Sequence, residues 1–401
     1  MTNTTLSTLP RPRDVLAEFG LYVHVPFCSH RCWYCDFNAY AGLDDVMDEY
    51  MKALVADIRF ARSAPGDADL ETRPAVTSVF IGGGTPSLVP ASSVAAVVEA
   101  IRDSWPMDAD AEVTIECNPE STTDEKLQAY LQAGINRISF GVQSLDNSLL
   151  ASLGRTHDAA TALDALDRAH RAGFTNVSAD LIFGIPGEDD EAWMASLHGI
   201  LEVGVSHVSA YALIYEEGTP LEAWKRLGKI VPVSDDAVAH RWEMADEVLI
   251  ERDFERYEFS NWSRPGLRSA HNCLYWKCGE YLGVGAGAHS HLSTDGGAQR
   301  SWTLRAPERY TRSVLAASSA VAGTEVVSTR TRASEVMLLG LRCTEGVRAE
   351  VFRDLVGVSL IDLYSAELER GVEAGLLDWD GERVMLARPL LGNEAALLFV
   401  D

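Results

Sequence analysis

The sequence lacks any surplus of positive charge: 34 lysines and arginines stand against 59 aspartates and glutamates, a formal net charge of -25 over 401 residues. Such a surface repels phosphate backbones and anionic lipid headgroups, so nucleic acid is not an expected partner. Hydrophobic residues make up 47% of the chain, yet no stretch reaches the roughly 18 consecutive apolar residues that a membrane-spanning helix needs. The opening residues, MTNTTLSTLPRPRDVLAEFG, carry no apolar stretch behind their basic residues and do not read as a secretory signal. A cytoplasmic protein with a flexible tail at 1–19 is expected. Cysteine is scarce at seven residues. An odd count, with three thiols packed within eight positions, does not form a secreted disulfide framework; thiols clustered in this way more often hold metal.

From about residue 20 to 295, short runs of β-branched and aromatic residues alternate with longer amphipathic segments. Strands are predicted at 21–25, 78–82, 113–116, 137–141, 176–184 and 207–213. In intervening segments such as ASSVAAVVEAIRDSW and AATALDALDRAHRAG, apolar residues recur every three or four positions, as crossover helices require. Gly173 is placed to stop the second of these helices. The expected fold is α/β, a partial parallel (β/α)6-type barrel, although an open doubly wound sheet satisfies the same pattern. The chain is also longer than one core usually grows. Beyond residue 295 the rhythm fades into helical segments and a short strand at 383–387. Residues 296–401 are therefore expected to form a smaller, mainly helical domain, with a winged helix among the forms allowed.

Polar and glycine-rich motifs follow the predicted strands: Gly82 to Ser87, Glu116 with Asn118, Gln143 with Ser144, and Gly184 to Glu188. Strand ends are where a barrel gathers its functional residues, so one shared site is expected. In HVPFCSHRCWYCDF, Cys28, Cys32 and Cys35 are separated by three and then two residues. One loop can then ligate three irons of a cubane cluster and leave the fourth open. Structural zinc, with His24 or His30 as fourth ligand, is the weaker alternative because no second cysteine pair matches. In FIGGGTPS, Gly82, Gly83 and Gly84 let the backbone approach a ligand closely, although GGGTP alone is equally a tight turn.

The CxxxCxxC spacing, with Tyr34 before the third cysteine, resembles the signature of the radical S-adenosylmethionine superfamily. The resemblance implies a 4Fe-4S cluster on Cys28, Cys32 and Cys35, with S-adenosylmethionine chelated to the open iron and cleaved reductively to a 5'-deoxyadenosyl radical. It further implies that the loop of Gly82, Gly83, Gly84 and Thr85 receives the methionine amino group and that Glu116 faces the ammonium. Arg155 would pair with the carboxylate, Gln143 and Asp180 would bond the ribose hydroxyls, and Tyr22 would pack beside the cluster.

From Tyr22 to Ser290, the segments YVHVPF, GGGTPS, NRISFGVQS, LGRTH, DLIFGIPG and YLGVGAGAHS resemble the branch that holds oxygen-independent coproporphyrinogen oxidases and HemW-type haem chaperones. Two details point to the chaperones. Phe37 stands where the oxidases carry a fourth cysteine, and His271, Asn272, Cys273, Leu274, Tyr275 and Trp276 match the HNxxYW motif linked in that branch to haem binding. The resemblance implies haem as cargo and acceptor haemoproteins, some at the membrane, as partners; it leaves a homodimer open. His271 would ligate the haem iron while Tyr275 or Trp276 packs on the macrocycle, with Cys273 a second candidate ligand. The same residues could simply pack the barrel's end. A buried apolar role is expected of Cys273 and Cys278, a structural one of Cys117 and Cys343, and a core position of His289. The enzymatic alternative is oxidative decarboxylation of coproporphyrinogen III propionates. Two departures from the branch are Trp33, where proline is common, and the acidic residues of GIPGEDDEAW.

Overall fold

The computed structural model describes residues 18–61, 73–294 and 297–400. The expected N-terminal tail lies, as far as residue 17, outside the described residues. Strands β1 (Phe19–Val25), β2 (Val76–Gly83), β3 (Met107–Cys117), β4 (Arg137–Gln143), β5 (Asn176–Phe183) and β6 (His207–Ala212) lie side by side in chain order, all parallel. An order that never reverses has no topological switch point, so the winding is that of a barrel and not of the doubly wound sheet.

The barrel stays open. Beyond β6 come the antiparallel β8 (Asn261–Ser263) and β7 (Glu255–Glu258). Beyond β1 come a seventh parallel strand, β9 (Glu280–Val284), and then antiparallel β10 (His289–Thr294), β11 (Gly297–Thr303) and β12 (Val321–Val327). Apolar residues of the strands, among them Val79, Ile81, Ile115, Ile138, Phe140 and Leu181, fuse into one core with the inner faces of the crossover helices.

Those helices are α1 (Asp44–Ala61), α2 (Ala91–Ser104), α3 (Asp124–Ala133), α4 (Asn147–Leu153), α5 (Ala159–Ala172) and α6 (Asp190–Val203). Local chemistry fixes their ends. Thr123, Asp146, Asp158 and Asp189 accept hydrogen bonds from first-turn N–H groups, and Gly134, Gly154, Gly173 and Gly204 follow in the left-handed conformation. Each side-chain cap contributes about 1 kcal/mol. Tight stops keep the loops short, and short loops hold the strand ends in register around the site.

The remaining α-helices among the described residues are α7 (Pro220–Arg226), α8 (Asp235–Glu251), α9 (Ala270–Trp276), α10 (Pro307–Leu315), α11 (Thr329–Gly340), α12 (Ala349–Val356), α13 (Leu360–Glu373) and α14 (Gly392–Leu397). A second core gathers Met337, Phe352, Leu360, Tyr364, Leu368, Val384 and Phe399 between α11, α12, α13 and a small antiparallel sheet. The strand expected at 383–387 is the middle one of that sheet, Arg383–Leu386. Among the described residues no helix is long and apolar enough to cross a membrane.

Candidate cofactor site

The C-terminal ends of β1 to β5 open into one cavity. It brings together Cys28, Cys32, Cys35, Gly83, Gly84, Thr85, Glu116, Gln143, Arg155 and Asp180. Gly82 lies just beneath the wall, where a Cβ would come within 2.6 Å of Glu116 Oε2. Tyr22 does not reach the wall. It lies deeper, its hydroxyl 2.9 Å from His24 Nδ1 and its ring stacked on Phe80. Two expected strand-end groups also stay outside: Glu188 accepts the Gly184 N–H (2.7 Å) and pairs with Arg241 (3.3 Å), while Ser144 Oγ lies 3.4 Å from Ser196 Oγ.

The cysteine loop has little regular structure and is held by docking. Trp33 N–H donates to Leu153 O (3.1 Å), Leu221 N–H donates to Trp33 O (3.0 Å), and His30 Nε2 lies 2.5 Å from Gly154 O. Trp33 lies against Gly154, whose φ of +76° suits glycine and where a Cβ would sit 3.0 Å from the indole; Trp224 meets Trp33 edge-on, ring centroids 4.8 Å apart. The departure at position 33 thus replaces proline's rigidity with an aromatic clasp.

The three thiols are free and half-buried, and burial pushes those of Cys28 and Cys35 above the usual range. Among the described residues no three His, Cys, Asp or Glu side chains are grouped to hold one metal ion. All three line one cavity, as a cubane whose irons each take a different thiolate requires. Arg155 donates through Nη2 to Asn118 Oδ1 (2.8 Å) and Gly141 O (2.9 Å), and its Nη1 lies 3.6 Å from Cys32 Sγ. Close packing on the protein's own atoms requires the glycines: a Cβ on Gly83 would strike the His24 ring at 2.6 Å, and one on Gly84 the Phe27 carbonyl at 2.7 Å. The donor set therefore suits both a cluster and a zwitterionic ligand beside it.

Burial lifts the Glu116 carboxyl to about 7, helped by the neighbouring Asp180 and opposed by the Gly83 N–H at 3.1 Å and by Arg137. Relative to its ordinary value of 4.5, this costs the empty folded protein about 3 kcal/mol once the group is ionised. The folded state keeps a proton that the unfolded chain has lost, so stability falls as pH rises from about 4.5 to about 7. Glu116→Gln is therefore expected to be more stable than the parent at pH 8 by up to about 3 kcal/mol, and close to it at pH 5. Urea denaturation of the cofactor-free protein at the two pH values checks this.

Gln143 has a left-handed backbone (φ 67°) at the register shift between β4 and β5, a strained position of the kind that collects at ligand sites. Ser139 Oγ donates to Asp180 at 3.1 Å. Neither Ser139 nor the buried Arg137, 4.0 Å from Glu112, was singled out in the sequence. The available signal was a polar pair, Arg and Ser, inside the apolar strand RISFG.

The HNCLYW segment is α9, and it closes the opposite end of the barrel. His271 is fully buried, Nδ1 2.9 Å from Ser78 Oγ and Nε2 2.8 Å from Tyr275 OH, and burial lowers its pKa to about 3. The Ala270 and His271 N–H groups donate to Glu112 at 3.0 and 3.2 Å. His271 also stacks on Phe80 at 5.4 Å. Asn272, Tyr275 and Trp276 are half-buried. His289, expected in the core, is instead exposed at the start of β10, stacked on Trp302.

A three-thiol loop over the ends of a parallel barrel-type sheet defines a radical S-adenosylmethionine protein. The Radical SAM superfamily profile accordingly matches residues 22–198, and the HemN C-terminal domain profile matches 327–388. The chain is 40% identical over 374 residues to the heme chaperone HemW of Mycobacterium tuberculosis, covering 92% of this chain and 90% of that one. It is 33% identical to HemW of Bacillus subtilis, covering 93% and 97%. It is also 36% identical to the bovine radical S-adenosyl methionine domain-containing protein 1, mitochondrial, covering 91% and 85%. The fold matches Escherichia coli coproporphyrinogen III oxidase (HemN) with a TM-score of 0.80 at 20% identity, over 96% of this chain and 91% of that one. The chain belongs to the HemW family of the radical SAM superfamily.

Proposed function

We propose that the protein is a haem chaperone: it binds haem and passes it to acceptor haemoproteins, while a 4Fe-4S cluster and S-adenosylmethionine in the barrel cavity regulate that transfer or support assembly of a homodimer. The observation that carries this reading beyond the family name is Phe37, 65% exposed on the cavity rim at the position where the oxidase branch carries a fourth cysteine. A porphyrinogen oxidase of that branch would present a thiol there; this chain presents an aromatic face.

In this reading Cys28, Cys32 and Cys35 hold the cluster, whose chemistry with S-adenosylmethionine is one-electron reductive cleavage. Gly83, Gly84 and Glu116 take the methionine ammonium, Arg155 takes the carboxylate, and Gln143 and Asp180 take the ribose hydroxyls. Arg155→Gln removes a charge-assisted contact of about 1.5–3 kcal/mol. Calorimetry on anaerobically reconstituted protein is expected to find S-adenosylmethionine affinity at least about tenfold weaker.

The reading itself is tested by giving the reconstituted protein haem and a haem-free acceptor. Haem should move to the acceptor, and no protoporphyrinogen should form from coproporphyrinogen III under reducing, anaerobic conditions. Porphyrinogen turnover without haem binding would overturn it.

A further inference from the structure

The end of β4 bends sharply beside the cofactor cavity. Val142, Gln143 and Ser144 make a three-residue turn, closed by the Ser144 N–H on Val142 O at 2.9 Å and centred on Gln143 with its φ of 67°. A non-glycine residue at the centre of such a turn is strained, and it persists only where neighbouring groups hold it.

Two side chains of the LGRTH segment grip successive carbonyls of that turn. Arg155 Nη2 donates to Gly141 O at 2.9 Å, and the buried His157 donates through Nε2 to Val142 O at 3.0 Å. A carbonyl only accepts, so the Nε2 proton of His157 is fixed. The other ring nitrogen, Nδ1, lies 3.4 Å from Arg155 Nη2 and 3.4 Å from Glu120 Oε2. Burial alone would raise the Glu120 carboxyl, but its bond to His157, together with its own backbone N–H and Arg155, holds it at about 2. Glu120 therefore stands as a carboxylate beside the guanidinium. Neither His157 nor Glu120 reaches the cavity wall, whereas Gln143 and Arg155 both line it. Arg155 Nε is enclosed without an acceptor among the described residues, so the guanidinium keeps a donor for a ligand while Nη2 is engaged by Asn118 and Gly141.

We propose that His157 is a positioning residue for S-adenosylmethionine, holding Val142 O so that the Gln143 turn stays in place and steadying Arg155 through Nδ1. One buried ring thereby sets the groups for the ribose and for the carboxylate together, without touching the ligand. The proposal rests on the cofactor reading and deepens it. A histidine that served packing alone would not need its donor aimed at the one carbonyl that closes the strained turn.

Calorimetric titration of S-adenosylmethionine into the anaerobically reconstituted full-length protein tests this, with iron content and denaturant unfolding recorded for each variant. Glutamine carries its amide nitrogen close to where histidine carries Nε2, so His157→Gln keeps the donor to Val142 O and His157→Leu removes it. Affinity should fall at least about tenfold in His157→Leu and stay within about threefold of the parent in His157→Gln, both with the parent's iron content. Should His157→Leu fail to fold, His157→Asn takes its place; its amide is too short to reach Val142 O, and it should be weakened as much. Parent-like affinity in the Leu or Asn variant, or a Gln variant as weak as either, would show that His157 only fills space and would leave the cofactor reading standing. A parent that binds no S-adenosylmethionine would bring down the cofactor reading itself.

Discussion

Replacing any one of Cys28, Cys32 or Cys35 by serine should leave anaerobically reconstituted protein with less than about a tenth of the parent's cluster, measured as iron, sulfide and the reduced cluster's magnetic resonance signal. Each thiolate is expected to take a separate iron, so no remaining ligand covers the loss. Cys117 also faces the cavity, but burial pushes its thiol up to about 12 and Thr122 and Ser87 engage it, so it is a poor substitute. Serine oxygen is a harder and more basic donor than thiolate and does not restore the site. Retention of a full cluster in two of the three variants would remove the basis for the proposed cofactor chemistry.

The second large effect concerns stability. His271→Ala should destabilise the protein by about 3–5 kcal/mol, because it opens a void under Phe80 and Tyr22 and strips a partner from both Ser78 and Tyr275. Denaturant unfolding of the cofactor-free protein measures it. A change below about 1 kcal/mol would mean that α9 does not seal the barrel as described. Loss of haem binding in that variant therefore says little about ligation unless its folding is measured alongside.

The parallel strands could be read from the sequence because strands covered on both faces are dense in Val, Ile, Leu and Phe. Each of the six predicted strands overlaps its observed strand, from 21–25 within Phe19–Val25 to 207–213 against His207–Ala212. The seventh, Glu280–Val284, escaped because EYLGV carries one β-branched residue and a glycine; Gly283 is needed there because a Cβ would fall 2.1 Å from His289 O. The antiparallel extension, HSHLST and GAQRSWT, is half-exposed and polar, so it lacks the apolar density that marks a covered strand.

Most cofactor-cavity residues were legible for a different reason. A cluster and a zwitterion demand unusual residues at fixed spacings, and such spacings survive in the linear text. What stayed hidden was orientation. In HNCLYW the sequence places a histidine beside aromatics, but only the helix register reveals that His271 and Tyr275 face inward while Cys273 and Trp276 face the C-terminal helices. Tyr22 likewise reads as a cluster neighbour from its nearness in sequence, yet it is one layer too deep because β1 carries it below His24.

With α9 packed beneath one end of the parallel strands, the cavity lies at the other, beside the cysteine loop. Phe37 and Arg31 line the cavity on that side. If the three cysteines hold the proposed cluster, a protein docked over this loop would shield its iron from air.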